Sequence, residues 1–99
     1  MKMIRSKTGR GFDIITFDDL YNKHCSIQKS SLAFEDAIWI GIDDAEPQIL
    51  ASQTEAGGTG WVPFYIPEEV SLNTRMHITR KQAFRILKVL IKFVLTGNI

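Results

Sequence analysis

Apolar positions set out a series of short strands followed by one helix. Residues 12–17 are β-branched and aromatic and predict a strand. The next six residues, Asp18-Asp19-Leu20-Tyr21-Asn22-Lys23, supply Asp and Asn turn chemistry. Residues 24–29 alternate, with Cys25 and Ile27 on one side and His24, Ser26 and Gln28 on the other, so the two segments form a hairpin. Residues 37–42 are continuously apolar, the pattern of a strand covered on both faces. A further strand starts at Gln48, and residues 61–66 alternate again, with Pro63 marking an edge or a bulge. Residues 72–78 put Leu72, Thr74, Met76 and Ile78 on one face and Asn73, Arg75 and His77 on the other. Between these lie polar stretches. Residues 1–10 read as a loose arm or short edge strand, 30–36 as a connection, and 52–60, with Gly57, Gly58 and Gly60, as a flexible loop.

The period then changes to that of a helix. Thr79-Arg80-Lys81-Gln82 fits a capping box, with a Thr N-cap and a Gln three residues on. Helix formers continue to Leu95, and Gly97 suits a left-handed C-terminal cap. At 100° per residue, Lys81, Arg85, Lys88 and Lys92 fall within about 60° of one another. Apolar side chains centred on Ala83, Leu87, Leu90 and Val94 fill an arc of roughly 240°, far wider than one packing face needs. The excess predicts a homodimer, or cover from loops carrying Trp39, Trp61 and Phe64. The expected fold is α+β: one domain over residues 1–99, a small antiparallel sheet of about five strands, and one long C-terminal helix packed on one face.

Composition narrows this picture. Ninety-nine residues with 44% hydrophobic side chains suffice for one core and no second layer of equal size. The most apolar run, 86–95, is broken by Lys88 and Lys92 and falls short of the roughly 20 residues of a membrane span. The basic N-terminus has no apolar stretch after it, which argues against a secretory signal. A single cysteine, Cys25, fits a reducing compartment, and a cytoplasmic location is expected. Net charge is only +1, yet the charges are segregated. Residues 1–29 hold six bases and three acids, residues 30–74 eight acids and no Lys or Arg, and residues 75–99 six bases and no acid. These blocks either pair within the fold or present charged surfaces to partners.

No residue set has catalytic spacing. No CxxC, HxxxH or HExxH pattern exists, so no metal site is expected. Cys25 reads as a small core residue, and no serine or cysteine stands in a nucleophile elbow. Gly57-Gly58-Thr59-Gly60 lacks the Lys-Ser/Thr of a phosphate-binding loop. An enzyme is not expected, nor is a cofactor. The exception is Arg75-Met76-His77-Ile78-Thr79-Arg80-Lys81, where a strand delivers cations to a helix N-terminus. Arg80 and Lys81 stand in the first turn, where the helix dipole disfavours positive charge. Something anionic must offset the repulsion: an internal acid such as Glu68 or Glu69, or a bound phosphate. Arg75, His77, Thr79, Arg80 and Lys81 are therefore the candidate anion site, and Arg85, Lys88, Lys92 and Trp61 the candidate partner-binding residues.

Three stretches carry a resemblance. Ser30-Ser31-Leu32-Ala33-Phe34-Glu35-Asp36-Ala37-Ile38-Trp39-Ile40-Gly41, Arg75-Met76-His77-Ile78-Thr79-Arg80-Lys81-Gln82 and Phe93-Val94-Leu95-Thr96-Gly97-Asn98-Ile99 look like a group of short phage and prophage proteins without an assigned activity. The resemblance runs from Phe12 to the C-terminus. It implies an origin in a mobile element and action by binding: blocking a host defence protein or sequestering a signalling nucleotide. A nucleic-acid-binding accessory role, through the basic helix edge and the N-terminal arm, is the alternative expectation.

Overall fold

The hairpin predicted at the start of the chain is the centre of the main sheet. Its strands are β2 (Asp13–Asp18) and β3 (His24–Lys29), paired antiparallel with Ile15 opposite Ile27 and Asp18 opposite His24. The turn forms because the Asp19 carboxylate accepts from the amides of Tyr21 and Lys23, both at 2.9 Å. Asn22 takes the left-handed conformation the turn needs, at φ 62°, which asparagine tolerates better than most residues. The computed structural model describes all of residues 1–99.

Around this hairpin the sheet grows by antiparallel neighbours. β1 (Ile4–Lys7) pairs with β2, β4 (Ala37–Ile42) pairs with β3, and β7 (Met76–Thr79) pairs with β4, giving the order β1-β2-β3-β4-β7. The N-terminal segment is thus an edge strand, held to β2 by an ion pair between Lys7 and Asp13 that also lowers the Asp13 pKa. Between β4 and β7 the chain makes an excursion that contains a separate two-stranded sheet, β5 (Gln48–Leu50) with β6 (Trp61–Pro63), and one 3₁₀ turn at Ala51–Gln53. The expected α+β fold, a five-stranded antiparallel sheet with one C-terminal helix, is present; the β5–β6 pair stands outside the main sheet.

The registers sort the side chains into two faces. One face carries a row Arg5, Ile15, Ile27, Ile40 and Met76, flanked by Phe17, Cys25 and Ile42 on one side and Lys29, Ile38 and Ile78 on the other. The opposite face carries Thr16, Ser26 and Gly41, then Ile14, Gln28, Trp39 and His77. Gly41 is required where it stands. A Cβ there would lie 2.6 Å from the Cα of Arg75 and from the carbonyl oxygen of Thr74, and its φ is 151°. The chain entering β7 therefore runs hard against Gly41 at the edge of β4.

Two predicted strands are shorter than their alternation suggests. Past Pro63 the Phe64 amide donates to the Pro47 carbonyl, and no ladder follows. Before Met76 the Asn73 side chain accepts from the Arg75 amide, bending the backbone out of strand geometry. The polar connection at 30–36 contains no helical turn.

Helix α1 (Arg80–Thr96) has the caps that the sequence predicts. Thr79 Oγ1 accepts from the Gln82 amide at 3.3 Å, and Gln82 Oε1 accepts from the Thr79 amide at 2.9 Å. Gly97 closes the helix at φ 77°, its amide donating to the Phe93 carbonyl at 2.7 Å. Its packing differs from the expectation. The helix does not lie on a sheet face: none of its residues is buried, and Ala83 alone is even half-buried. The reason is local. Thr79 is both the last residue of β7 and the N-cap, with φ −83° and ψ 172°, so no connecting residues remain to turn the chain back over its own sheet. Nor do loops cover it: Trp61 and Phe64 are exposed, and Trp39 is engaged with His77.

Candidate functional site at the start of helix α1

Five residues are expected to form an anion site, and the structure gives them different partners. His77 lies opposite Trp39, and its ring stacks on the indole with centroids 3.9 Å apart and planes 12° apart. His77 Nε2 also lies 2.8 Å from the hydroxyl of buried Ser30. This histidine is held from two directions, by Trp39 of β4 and by Ser30 just beyond β3. Arg75 is half-buried where the chain runs against Gly41, and its Nε is buried without a hydrogen-bond partner.

Thr79 and Arg80 stand at the end of β7, where the helix begins. With Lys29, Asp36, Ile38, Ile78 and Ala83 they line a cavity of about 440 Å³ between the end of β7 and the first turn of α1. Asp36 bridges the two cations: Lys29 Nζ donates to its Oδ1 at 3.1 Å, and Arg80 Nη1 lies 3.7 Å from its Oδ2. The acid offsetting the first-turn charge is therefore Asp36, and not Glu68 or Glu69, neither of which forms an ion pair. The cause is register. Ala37 pairs with Thr79, so the residue preceding β4 arrives beside the residue that opens the helix. Lys29 and Asp36 were missed as site residues because they are remote from the helix in sequence and meet it only through pairing in the sheet.

Lys81 continues toward Arg85, Lys88 and Lys92 along one edge of α1. All four side chains are exposed, and none is ion-paired with a carboxylate. Lys88 Nζ sits 4.8 Å from the centre of the Phe84 ring, and Lys92 Nζ donates to the Ile99 carbonyl at 3.2 Å. Trp61, grouped with these residues from sequence, belongs to β6 in the separate hairpin, where it is 64% exposed.

One pair escaped sequence reasoning. His24 Nδ1 lies 2.6 Å from Asp18 Oδ1, because the two are directly opposed at the mouth of the β2–β3 hairpin. The five-residue loop between them was the available signal. Cys25, next to His24, points to the other face, where its Sγ donates to the Lys23 carbonyl at 3.5 Å. Burial, assisted by the carboxylates of Asp19, Asp43 and Asp18, pushes the Cys25 thiol pKa up. A thiol so placed is neither aligned with the His24–Asp18 pair nor activated as a nucleophile. No three His, Cys, Asp or Glu side chains come together in metal-binding geometry. No helix is long and apolar enough to cross a membrane.

No protein-family model matches the chain, and no significant match to it exists among curated proteins or solved structures.

Proposed function

We propose that the chain is a non-enzymatic binding protein that captures an acidic host protein along the basic edge of α1, in the interest of a mobile element countering host defence. The observation that carries this reading is the edge itself. Lys81, Arg85, Lys88 and Lys92 stand exposed along one helix with no carboxylate engaging them, although the chain holds eleven acids. Unpaired cations in a line steer association with a complementary acidic surface. The counter-defence role rests on the resemblance to phage and prophage proteins. The test is capture from host lysate by the wild-type chain and by the triple variant Arg85→Glu/Lys88→Glu/Lys92→Glu. Capture that weakens with salt and disappears on charge reversal supports the reading; capture indifferent to both sinks it.

A second reading has its own observation. The cavity beside Thr79 sets Lys29 and Arg80 against one carboxylate, Asp36, leaving a surplus of positive charge next to a helix N-terminus. A phosphate-bearing signalling nucleotide that displaces Asp36 would be held there. Isothermal titration with cyclic and linear nucleotides tests it, and the ligand version fails if no heat appears. The nucleic-acid alternative draws less support. It needs the N-terminal arm and α1 to act together, and these stand at opposite edges of the sheet, β1 and β7, four strand spacings or about 19 Å apart. Lys7 in that arm is moreover paired to Asp13.

A further inference from the structure

The chain buries too little of itself for a folded protein of its size. Only six of 99 residues are buried, and just four of those are hydrophobic: Cys25, Ala37, Ala51 and Ile78. The accessible surface is 8451 Å², whereas a compact monomer of 11.2 kDa exposes about 5,700 Å². The radius of gyration is 17.3 Å, against about 12.6 Å for a compact domain of 99 residues. Two continuous apolar surfaces contribute to the excess: the arc of α1, where Leu87, Leu90 and Val94 are 48%, 52% and 79% exposed, and the isoleucine face of the sheet, where Ile15, Ile27 and Ile40 are only half-buried; further exposed apolar side chains lie in the excursion between β4 and β7, at Trp61, Phe64 and Tyr65.

We propose that both surfaces are covered by a second copy of this chain, in a two-fold symmetric homodimer in which the helix of each copy lies across the isoleucine face of the other. Three observations select this occupant. The first is area. The excess of about 2,700 Å² per chain, about 5,400 Å² for two, exceeds the roughly 2,000 Å² at which obligate dimers begin, so the helix and sheet face need account for only part of it. The second is fit. A helix of 17 residues is about 25 Å long, and the row from Arg5 to Met76 crosses five strands, or about 19 Å, so one helix spans one sheet face. The third is reciprocity. Each chain owns one uncovered helix and one uncovered apolar sheet face, and a two-fold axis satisfies both at once. A net charge of only +1 opposes self-association little. The cations Lys81, Arg85, Lys88 and Lys92 stand outside the apolar arc and stay exposed in the dimer.

Sedimentation equilibrium of the purified wild-type chain at micromolar concentration is the first measurement. The expected mass is twice 11.2 kDa. A folded species at the single-chain mass overturns the proposal. So does a higher oligomer, or a chain that is unfolded alone and folds only when a different protein is added. The second measurement is Leu90→Glu. On a solitary exposed helix this change is nearly silent, so an unchanged mass and melting temperature also overturns the proposal. The dimer predicts dissociation constants raised by about 100-fold or more, or loss of folding with loss of the dimer. Leu20→Glu, an equally apolar-to-acidic change at the exposed tip of the β2–β3 hairpin, leaves the mass at two chains. Because Leu90→Glu can act by unfolding, wild-type chains of mixed isotopic labelling supply an independent check. Intermolecular NOEs between α1 methyls and those of Ile27 and Ile40 are expected, and a dimer without them overturns the helix-on-sheet arrangement.

Discussion

Gly41→Ala tests whether the chain entering β7 runs as close to β4 as its contacts with Gly41 require. The added Cβ would stand 2.6 Å from two backbone atoms, Arg75 Cα and Thr74 O, and 2.9 Å from Arg75 N. Ordinary contact begins at 3.4 Å, so backbone would have to move by about 0.8 Å. Backbone yields less readily than a side-chain tip, and cramming one methyl into such a site costs about 1–3 kcal/mol. Alanine at φ 151° adds strain of order 1–3 kcal/mol. Moving this segment also loosens the bonds that pin it, Thr74 N to Ile42 O at 3.2 Å and Ile42 N to Thr74 Oγ1 at 3.3 Å. These effects overlap, and their combined cost is about 3 kcal/mol, which lowers the melting temperature of a domain this small by about 12–24 °C. Thermal melts at one fixed protein concentration measure it, with Gly9→Ala as the control, since nothing lies within 4 Å of a Cβ at position 9. Destabilisation under about 1 kcal/mol, or a Gly9→Ala effect of the same size, would refute the close approach.

Other consequences follow from the same contacts. His77→Ala removes a stacked ring and one of the two hydrogen-bond partners of the buried Ser30 hydroxyl, the Leu32 amide remaining; it should cost about 1–2 kcal/mol in urea unfolding and change Trp39 fluorescence, while His77→Phe restores the stacking part only. Thr79→Ala deletes the acceptor for the Gln82 amide and should cost about 1 kcal/mol, read as lost far-UV ellipticity on mild heating. Cys25, with its thiol pKa raised by burial, should resist alkylation at neutral pH and react at the rate of a free thiol once urea unfolds the chain; equal rates in both states would contradict its placement.

Much of the fold was legible because its determinants are local. The β2–β3 hairpin is set by alternation and by Asp19 and Asn22 in the turn, β4 by its unbroken apolar run, and α1 by a capping box spanning four residues. What failed depended on relations between distant segments. Alternation over 72–75 promised strand, but the Asn73 side chain took the Arg75 amide. The breadth of the apolar arc on α1 was readable, whereas its separation from the sheet was not, since that follows from the missing linker at Thr79. The anion-site expectation follows proximity in sequence, yet pairing of Ala37 with Thr79 brings Asp36 and Lys29 to the helix start, while the His77 ring is taken up by stacking on Trp39.

The direct passage from strand to helix at Thr79 also makes α1 a lever with a one-residue fulcrum. Its 17 residues extend about 25 Å, so a tilt of about 10° at the fulcrum swings the far end by about 4 Å. The reciprocal bonds between Thr79 and Gln82 are what hold the aim. One residue inserted after Thr79 would keep every side chain yet rotate the helix by about 100°, bringing the lysine edge toward the bearing the leucines now hold. The identity of whatever α1 meets is thus written as much in the phase of that junction as in the residues along the rod.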